Sequence, residues 1–464
     1  MINIDLSSFK KIYFLGIGGI GMSALARYFN LKGFEVSGYD KTPSPLTDTL
    51  LEEGISIHFE DLGSEIANKM EKEETLVIFT PAIPKDMLEY NYLKDNNFTI
   101  LKRAQILGLI TRSSKGLCVA GTHGKTTTST MLAHILYVSS LKCNAFLGGI
   151  STNYATNFIS SSSSDFTVIE ADEFDRSFLQ LNPFASIITA CDADHLDIYG
   201  DEETFLKGFQ DYANLIAKEG LLVIKKGLPL TSSVKTWTYS LTETADFQGS
   251  NLRSENGMQV MDVRFENEVW NSVTLGLPGI HNAENALACI ALCVFLGLTE
   301  EEIRYGLTSF LGVKRRFEYH IKSDKVTYID DYAHHPTELK ALIDSVKLLY
   351  PTKKISLIFQ PHLFSRTNDF MEGFAHELSR VDTLYLLPIY PARELPMPGV
   401  TSDVLLAKIT CKSKQIVEKE DLVSMIEIKD NEVVLTVGAG DIDRLIKPLK
   451  EKILNAPLDA PLDL

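Results

Sequence analysis

Seven consecutive residues, Gly121-Thr122-His123-Gly124-Lys125-Thr126-Thr127, bring together two glycines, a lysine and three threonine hydroxyls. The apolar run Gly116–Ala120 precedes them and a Thr-rich helix start follows. Glycines let a backbone curl until its N–H groups converge on phosphate oxygens. The helix N-terminus adds partial positive charge, Lys125 adds a full one, and Thr126 offers a hydroxyl to Mg²⁺. The strict G-x-x-x-x-G-K-[ST] pattern fails, because Val119 stands where its first glycine belongs. The shorter form, in its strand–turn–helix context, still predicts a phosphate site. A plain glycine turn capping a helix is the bland alternative.

Two polar clusters follow. Glu170-Ala171-Asp172-Glu173 ends a predicted strand 45 residues after Lys125, and Asp192-Ala193-Asp194-His195-Leu196-Asp197 ends the next. Nucleotide phosphates bring Mg²⁺, a hard cation that takes carboxylate, phosphate and water oxygens. Strand ends in a parallel sheet face one crevice, so Glu170 is a candidate metal ligand. His195 by itself reads more simply as a hydrogen-bonded loop histidine.

A second glycine pattern stands near the start. Gly16, Gly18, Gly19 and Gly21 follow a strand and open a helix, and Asp40 ends the next strand 19 residues after Gly21. This satisfies a dinucleotide fingerprint, with a carboxylate placed to meet a ribose. Alone it reads as an NAD-dependent dehydrogenase. The geometry specifies only a pyrophosphate on a helix N-terminus, which UDP also carries. Two nucleotide sites without a hydride-transfer constellation weigh against the dehydrogenase.

These motifs need a scaffold of apolar strands running into polar loops. The pattern supplies one in three segments. Strand–helix–strand periodicity opens the first, up to about residue 112. The second begins with the strand before Gly121 and carries the helix of Asn282–Leu298 near its end. The third starts near Arg315 and contains apolar runs ending in Asp330–Pro336, Gln360–His362, Pro388–Ala392 and Gly438–Asp441. That layout predicts α/β domains whose functional loops lie at strand C-termini. Ser160–Ser164 reads as a solvated loop.

Composition agrees. The 464 residues are 45% apolar and 23% charged, ordinary globular usage, and too many for one small domain. With 45 Lys+Arg against 61 Asp+Glu the net charge is −16, so the chain lacks the cationic surplus of a nucleic-acid or membrane-surface binder. Anions must be held locally. The longest apolar run, Ala286–Leu298, is too short to span a bilayer, and no leader pattern opens the chain. A cytoplasmic protein without membrane insertion is the expectation, as monomer or homodimer. Six scattered cysteines form no CxxC, and Cys289 and Cys293 read as buried thiols.

GTHGKTT, EADE, DADHLD, GIHNAENALA, KRRFE, DDYAHHP, QPHLFSRT and YPARELPMPG stand in order across residues 121–399. Together they resemble the Mur ligases, ATP-dependent amino-acid ligases of peptidoglycan synthesis. The resemblance covers essentially the whole chain. It implies three domains: a Rossmann-like UDP-sugar domain over 1–112, a central P-loop-type ATPase domain with a mostly parallel sheet over 113–314, and a Rossmann-like amino-acid domain over 315–464. The N-terminal GIGGIGMSALA and paired histidines point to the alanine-adding branch, with ATP, Mg²⁺, UDP-N-acetylmuramate and L-alanine as cofactors and substrates. A different amino acid or a recycled peptide is the alternative within the family.

Site roles follow from the same resemblance. Lys125, Glu170 and His195 are catalytic, and Thr126, Glu170 and His195 hold Mg²⁺. Gly121 to Thr127, with His281, Asn285, Arg316 and Asp331, bind ATP. An amide at Asn285 suits adenine, since it offers both donor and acceptor. Capping by Asn282 holds alongside this. Gly16, Gly18, Gly19, Gly21 and Asp40 take the UDP sugar, and Thr80–Pro84 follows a strand near it. His335, His362 and Arg366 take the amino acid. Sequence does not separate Arg315 from Arg316 or His334 from His335. Where some relatives carry Arg, this chain has Leu363. Lys207 lies three residues short of a carbamylated lysine found in several Mur ligases, so no carbamylation is expected.

Overall fold

A computed structural model describes residues 4–192, 199–255, 258–392, 394–429 and 432–455. Its elements fall into three sheets. The first is built from β1 (Lys11–Leu15), α1 (Ile20–Leu31), β2 (Glu35–Tyr39), α2 (Pro45–Glu52), β3 (Ser56–His58), β4 (Thr75–Phe79), α3 (Leu88–Asp95), β5 (Thr99–Lys102) and α4 (Arg103–Arg112). Strand order is β3-β2-β1-β4-β5, all parallel. β1 and β4 are apolar on both faces, as central parallel strands must be when helices cover each side. Order reverses between β1 and β4, and the crevice beyond their C-termini is where an open α/β sheet binds ligands.

The second sheet has ten strands: β6 (Lys115–Ala120), β7 (Asn144–Phe146), β8 (Phe158–Ile159), β9 (Phe166–Glu170), β10 (Pro183–Ile188), β11 (Leu221–Lys225), β12 (Lys235–Ser240), β13 (Phe247–Glu255), β14 (Met258–Phe265) and β15 (Glu268–Leu275). The order is β15-β14-β13-β12-β11-β10-β6-β9-β7-β8. β6 therefore lies between β10 and β9, parallel to both. Helix α5 (Lys125–Val138) follows β6 and is buried from Thr127 through Leu136. α6 (Glu202–Ala213) follows β10, and α7 (Ile280–Phe295) and α8 (Glu300–Ser309) come after β15. Thr299 and Glu302 form a capping box at the start of α8.

The third sheet contains β16 (Glu318–Lys322), β17 (Val326–Asp331), β18 (Lys354–Phe359), β19 (Thr383–Leu386), β20 (Ser413–Ile416) and β21 (Glu432–Val437), in the order β16-β17-β21-β18-β19-β20. Only the edge strand β16 pairs antiparallel. α9 (Pro336–Leu349), α10 (Phe364–Asp369), α11 (Met371–Leu378), α12 (Ser402–Lys408), α13 (Lys419–Met425) and α14 (Ile446–Asn455) complete it.

The chain separates into two compact units. One comprises residues 1–253, 260–276 and 283–311, and the other 254–259, 277–282 and 312–464. The first two sheets thus share a unit. Cys289 and Cys293 are fully buried free thiols, as expected. Among the described residues no helix is long and apolar enough to cross a membrane.

Candidate active site

In the first unit, β1 runs into the turn Gly16–Gly19 and then α1. Gly16 has φ +86°, and a Cβ there would stand 2.7 Å from Thr80 Cγ2. The loop after β4 therefore closes onto the glycine turn, which is why Thr80 lies beside it. Asp40 accepts from the Gly18 N–H at 2.8 Å and from Thr42 N at 3.2 Å. Asp40 thus braces the turn in this structure. A Cβ on Gly21 would stand 2.2 Å from Arg103 Nη1. Gly21 makes room for a guanidinium that the motif did not announce.

The phosphate loop leaves β6 at the same sheet end as β9 and β10. Gly121 (φ +135°) and Gly124 (φ +80°) occupy conformations other residues avoid. A Cβ on Gly121 would stand 2.2 Å from Thr189 Oγ1, and one on Gly124 would stand 2.9 Å from Asn285 Oδ1. Thr189 donates to the carbonyls of Ala120 and His123, tying the loop to the end of β10. Gly124, the N-cap residue, has no side chain to cap α5, which leaves the first amides of the helix for a ligand. Asn285, nearly buried, sets its amide against the loop.

Lys125 Nζ donates to the Gly121 carbonyl at 2.6 Å and to Glu173 Oε1 at 2.8 Å. The Glu173 side chain is 2% exposed and Lys125 15%. Burial raises the Glu173 pKa, and the Lys125 cation holds part of that rise back. The sequence placed Glu173 in the acidic cluster without giving it a role. Glu170 ends β9 directly beside β6. Gly148 leaves space against it: a Cβ there would fall 2.1 Å from Glu170 Oε2. A carboxylate facing Gly148, at the sheet end where Thr126 stands in the first turn of α5, offers the hard oxygen chemistry that fits Mg²⁺. His123 Nε2 lies 3.8 Å from Asp192. His195 and Asp194 lie outside the described residues.

The second unit separates the pairs that sequence left open. Arg315 is committed to the fold. It bonds Asp330 through Nε at 3.1 Å, donates from Nη2 to the Gly438 carbonyl at 2.6 Å, and lies over Tyr332. Arg316 lies over the same ring and lowers the pKa of Asp331, which burial pushes up to about 6. Asp331 accepts from Phe317 N at 2.7 Å and Ala333 N at 2.8 Å, joining two loops. His335 caps α9, accepting from Thr337 N, and packs on Phe370. It is His334 whose ring lies 6.2 Å from His362. His334 Nδ1 donates to the Tyr332 carbonyl at 2.9 Å, so Nε2 is its basic nitrogen.

His362 stacks on Tyr390 and contacts Arg366 through Nδ1 at 3.3 Å. Burial, with the Arg366 cation second, pushes its pKa down to about 4. Leu363 holds φ +72° and donates its N–H to the Tyr390 carbonyl. Arg366 and His362, on either side of Leu363, meet each other. His281, beside Gly279 in this unit, is likewise pushed to about 4 by burial and the Arg316 cation. Asn282 donates to the Pro278 carbonyl, closing the turn before α7.

Fold and loops define a nucleotide-dependent enzyme class: parallel sheets, a lysine-bearing phosphate loop, and carboxylates at the adjoining strand end. Comparison with known proteins is specific. Residues 11–115 match the model of the Mur ligase family catalytic domain, 119–293 the Mur ligase middle domain, and 315–440 the Mur ligase glutamate ligase domain. The chain belongs to the Mur ligase family. It is 50% identical over 453 residues to a UDP-N-acetylmuramate–L-alanine ligase of Parabacteroides distasonis, covering 97% of this chain and 98% of that protein. It is 49% identical to one of Flavobacterium johnsoniae over 97% and 99%. The crystal structure of a UDP-N-acetylmuramate-alanine ligase from Thermotoga maritima superposes with a TM-score of 0.83 at 29% identity, covering 96% of this chain and 99% of that one. The three-domain α/β architecture is thus that of the family.

Proposed function

We propose that this protein joins L-alanine to the lactyl carboxylate of UDP-N-acetylmuramate at the expense of ATP, a step of peptidoglycan synthesis. The observation that carries the reading is near-full-length likeness, at about half identity, to ligases of that name. The strand-end grouping of Lys125, Glu170 and Glu173 supports the chemistry.

A carboxylate does not acylate an amine, because its oxygen is a poor leaving group. Transfer of the ATP γ-phosphoryl group to that oxygen releases ADP and leaves an acyl phosphate. The amine of L-alanine attacks the acyl carbon, the C–N bond forms, the C–O bond to phosphate breaks, and the nitrogen loses a proton. The protein's contribution is positioning and charge neutralisation. Lys125 and the α5 amides hold the transferring phosphoryl group. Thr126 and Glu170, with His195, would hold Mg²⁺, which neutralises phosphate charge. Asn285 reads the adenine, with His281 beside the α7 start. Arg316 supplies a phosphate cation and Asp331 orders its loop.

Arg366 takes the amino-acid carboxylate, since a guanidinium gives two parallel bonds. Burial lowers the pKa of both His334 and His362, whose rings lie 6.2 Å apart, and His334 Nε2 is placed to accept the ammonium proton. Domains over 1–112, 113–314 and 315–464 carry the sugar, ATP and amino-acid sites.

The test is phosphate release from ATP and Mg²⁺ with UDP-N-acetylmuramate and single amino acids, then alanyl peptides. Release that needs the sugar and peaks with L-alanine supports the reading. Release with a peptide but not L-alanine moves the protein to a recycling role. NADH binding without release would restore the dehydrogenase.

A further inference from the structure

We propose that Arg103 is the side-chain cation that grips the diphosphate of the UDP sugar at the glycine turn. The inference rests on the reading of that turn as the UDP-sugar site. Residues 16–26, the turn and the first two turns of α1, contain no lysine or arginine. Asp40 adds a negative charge on the Gly18 amide. Backbone dipoles alone would thus face two phosphate charges beside a carboxylate. A chain with net charge −16 gives no background compensation.

Arg103 corrects this imbalance from another element. It is the first residue of α4, and the preceding Lys102 amide is fixed by Gln105 Oε1 at 2.7 Å. Its guanidinium reaches the first turn of α1, with Nη1 2.2 Å and Cζ 3.1 Å from where a Gly21 Cβ would stand. Nη2 contacts Asp172 Oδ2 at 3.3 Å, a long single bond, and Asp172 is itself fixed through Phe174 N at 3.1 Å. The Arg103 side chain keeps 24% exposure. Asp172 holds the guanidinium in place through one nitrogen while others remain to fork onto phosphate oxygens. Gly21 is needed because any side chain there would occupy the guanidinium's place.

Calorimetric titration of nucleotide-free protein decides the matter, using wild type, Arg103→Met and Arg103→Lys against UDP-N-acetylmuramate, UDP and uridine. Arg103→Met is expected to weaken UDP and the UDP sugar about 10- to 100-fold while uridine changes less than twofold. Arg103→Lys recovers part of the loss. Equal weakening of uridine, or unchanged UDP affinity, overturns the assignment. Should Arg103→Met fail to fold, Arg103→Gln and Arg103→Lys carry the same comparison. A wild type that binds neither UDP nor the UDP sugar instead refutes the reading of the turn itself.

Discussion

Removing the Lys125 cation should damage the protein twice, and the two effects can be pulled apart. Lys125→Met deletes the charge that the proposed mechanism sets against the transferring phosphoryl group. Loss of a positioned charge of this kind costs a factor of at least about 100 to 1000 in turnover. It also strands Glu173, 2% exposed and bonded to Lys125 at 2.8 Å. Breaking a buried ion pair by removing one partner costs about 3–5 kcal/mol. At roughly 2–4 °C per kcal/mol that is a melting shift of about 6–20 °C. Burial already raises the Glu173 pKa, and without Lys125 it rises further. A folded-state pKa above the unfolded one gives stability that is present at low pH and lost as pH rises through the folded value. The melting deficit of Lys125→Met should therefore shrink as pH falls toward the ordinary carboxyl range. Adding Glu173→Gln to Lys125→Met removes the stranded charge, so it should restore most of the melting temperature and none of the activity. Scanning calorimetry from pH 5 to 8 and phosphate release read the two effects. A double variant that stays as unstable as the single one, or a deficit that grows on acidification, would refute the pairing argument.

Gly121→Ala should lose nucleotide binding at least tenfold and melt lower, because its Cβ would strike Thr189 and the Ala190 backbone; unchanged ADP affinity by titration would contradict this. Arg315→Lys should destabilise the second unit by about 2–3 kcal/mol, since it unpairs a buried aspartate and a carbonyl, whereas Arg316→Lys should leave melting unchanged and raise the KM for ATP. His134, His281 and His362 are each pushed to about 4, so the folded protein refuses protons that the unfolded chain takes up below about pH 6.5. Stability should fall as pH drops from 6.5 toward 4, and NMR should show no His362 titration between pH 5.5 and 8; a midpoint near 6.5 would sink the point. EDTA should stop phosphate release while leaving UDP affinity intact.

Where one segment supplies both a motif and its scaffold, sequence was sufficient. The turn at Gly121 and Gly124 and the helix start at Lys125 were legible because positive φ and helix start are local properties. The strands feeding the loops were legible for the same reason: β6, β18 and β21 are buried almost throughout, and continuous apolar runs are their signature. Contacts made between distant segments were not. Glu173 owes its importance to a lysine 48 residues away, and Arg103 to a glycine 82 residues away, and nothing in either neighbourhood marks them. Arg315 and Arg316 are adjacent and identical in type, and only the turn at Arg315, with φ +62°, sends one inward to Asp330. The same holds for His335, which Pro336 places at a helix start while His334 turns toward His362. The strands β13–β15 escaped notice because they are half polar, like a sheet with one wet face.

The burial of α5 has a further consequence for the energetics of nucleotide uptake. The amides at its start belong to a helix whose next ten residues are enclosed by core, not to a loose surface segment. Such amides open to solvent only with the surrounding sheet, so their exchange with deuterium should already be slow before any ligand arrives. Nucleotide then gains little from ordering its own cradle and spends little entropy doing so. Its stabilising effect on the first unit should track ligand concentration by mass action alone, growing by about 1.4 kcal/mol for each tenfold excess over Kd.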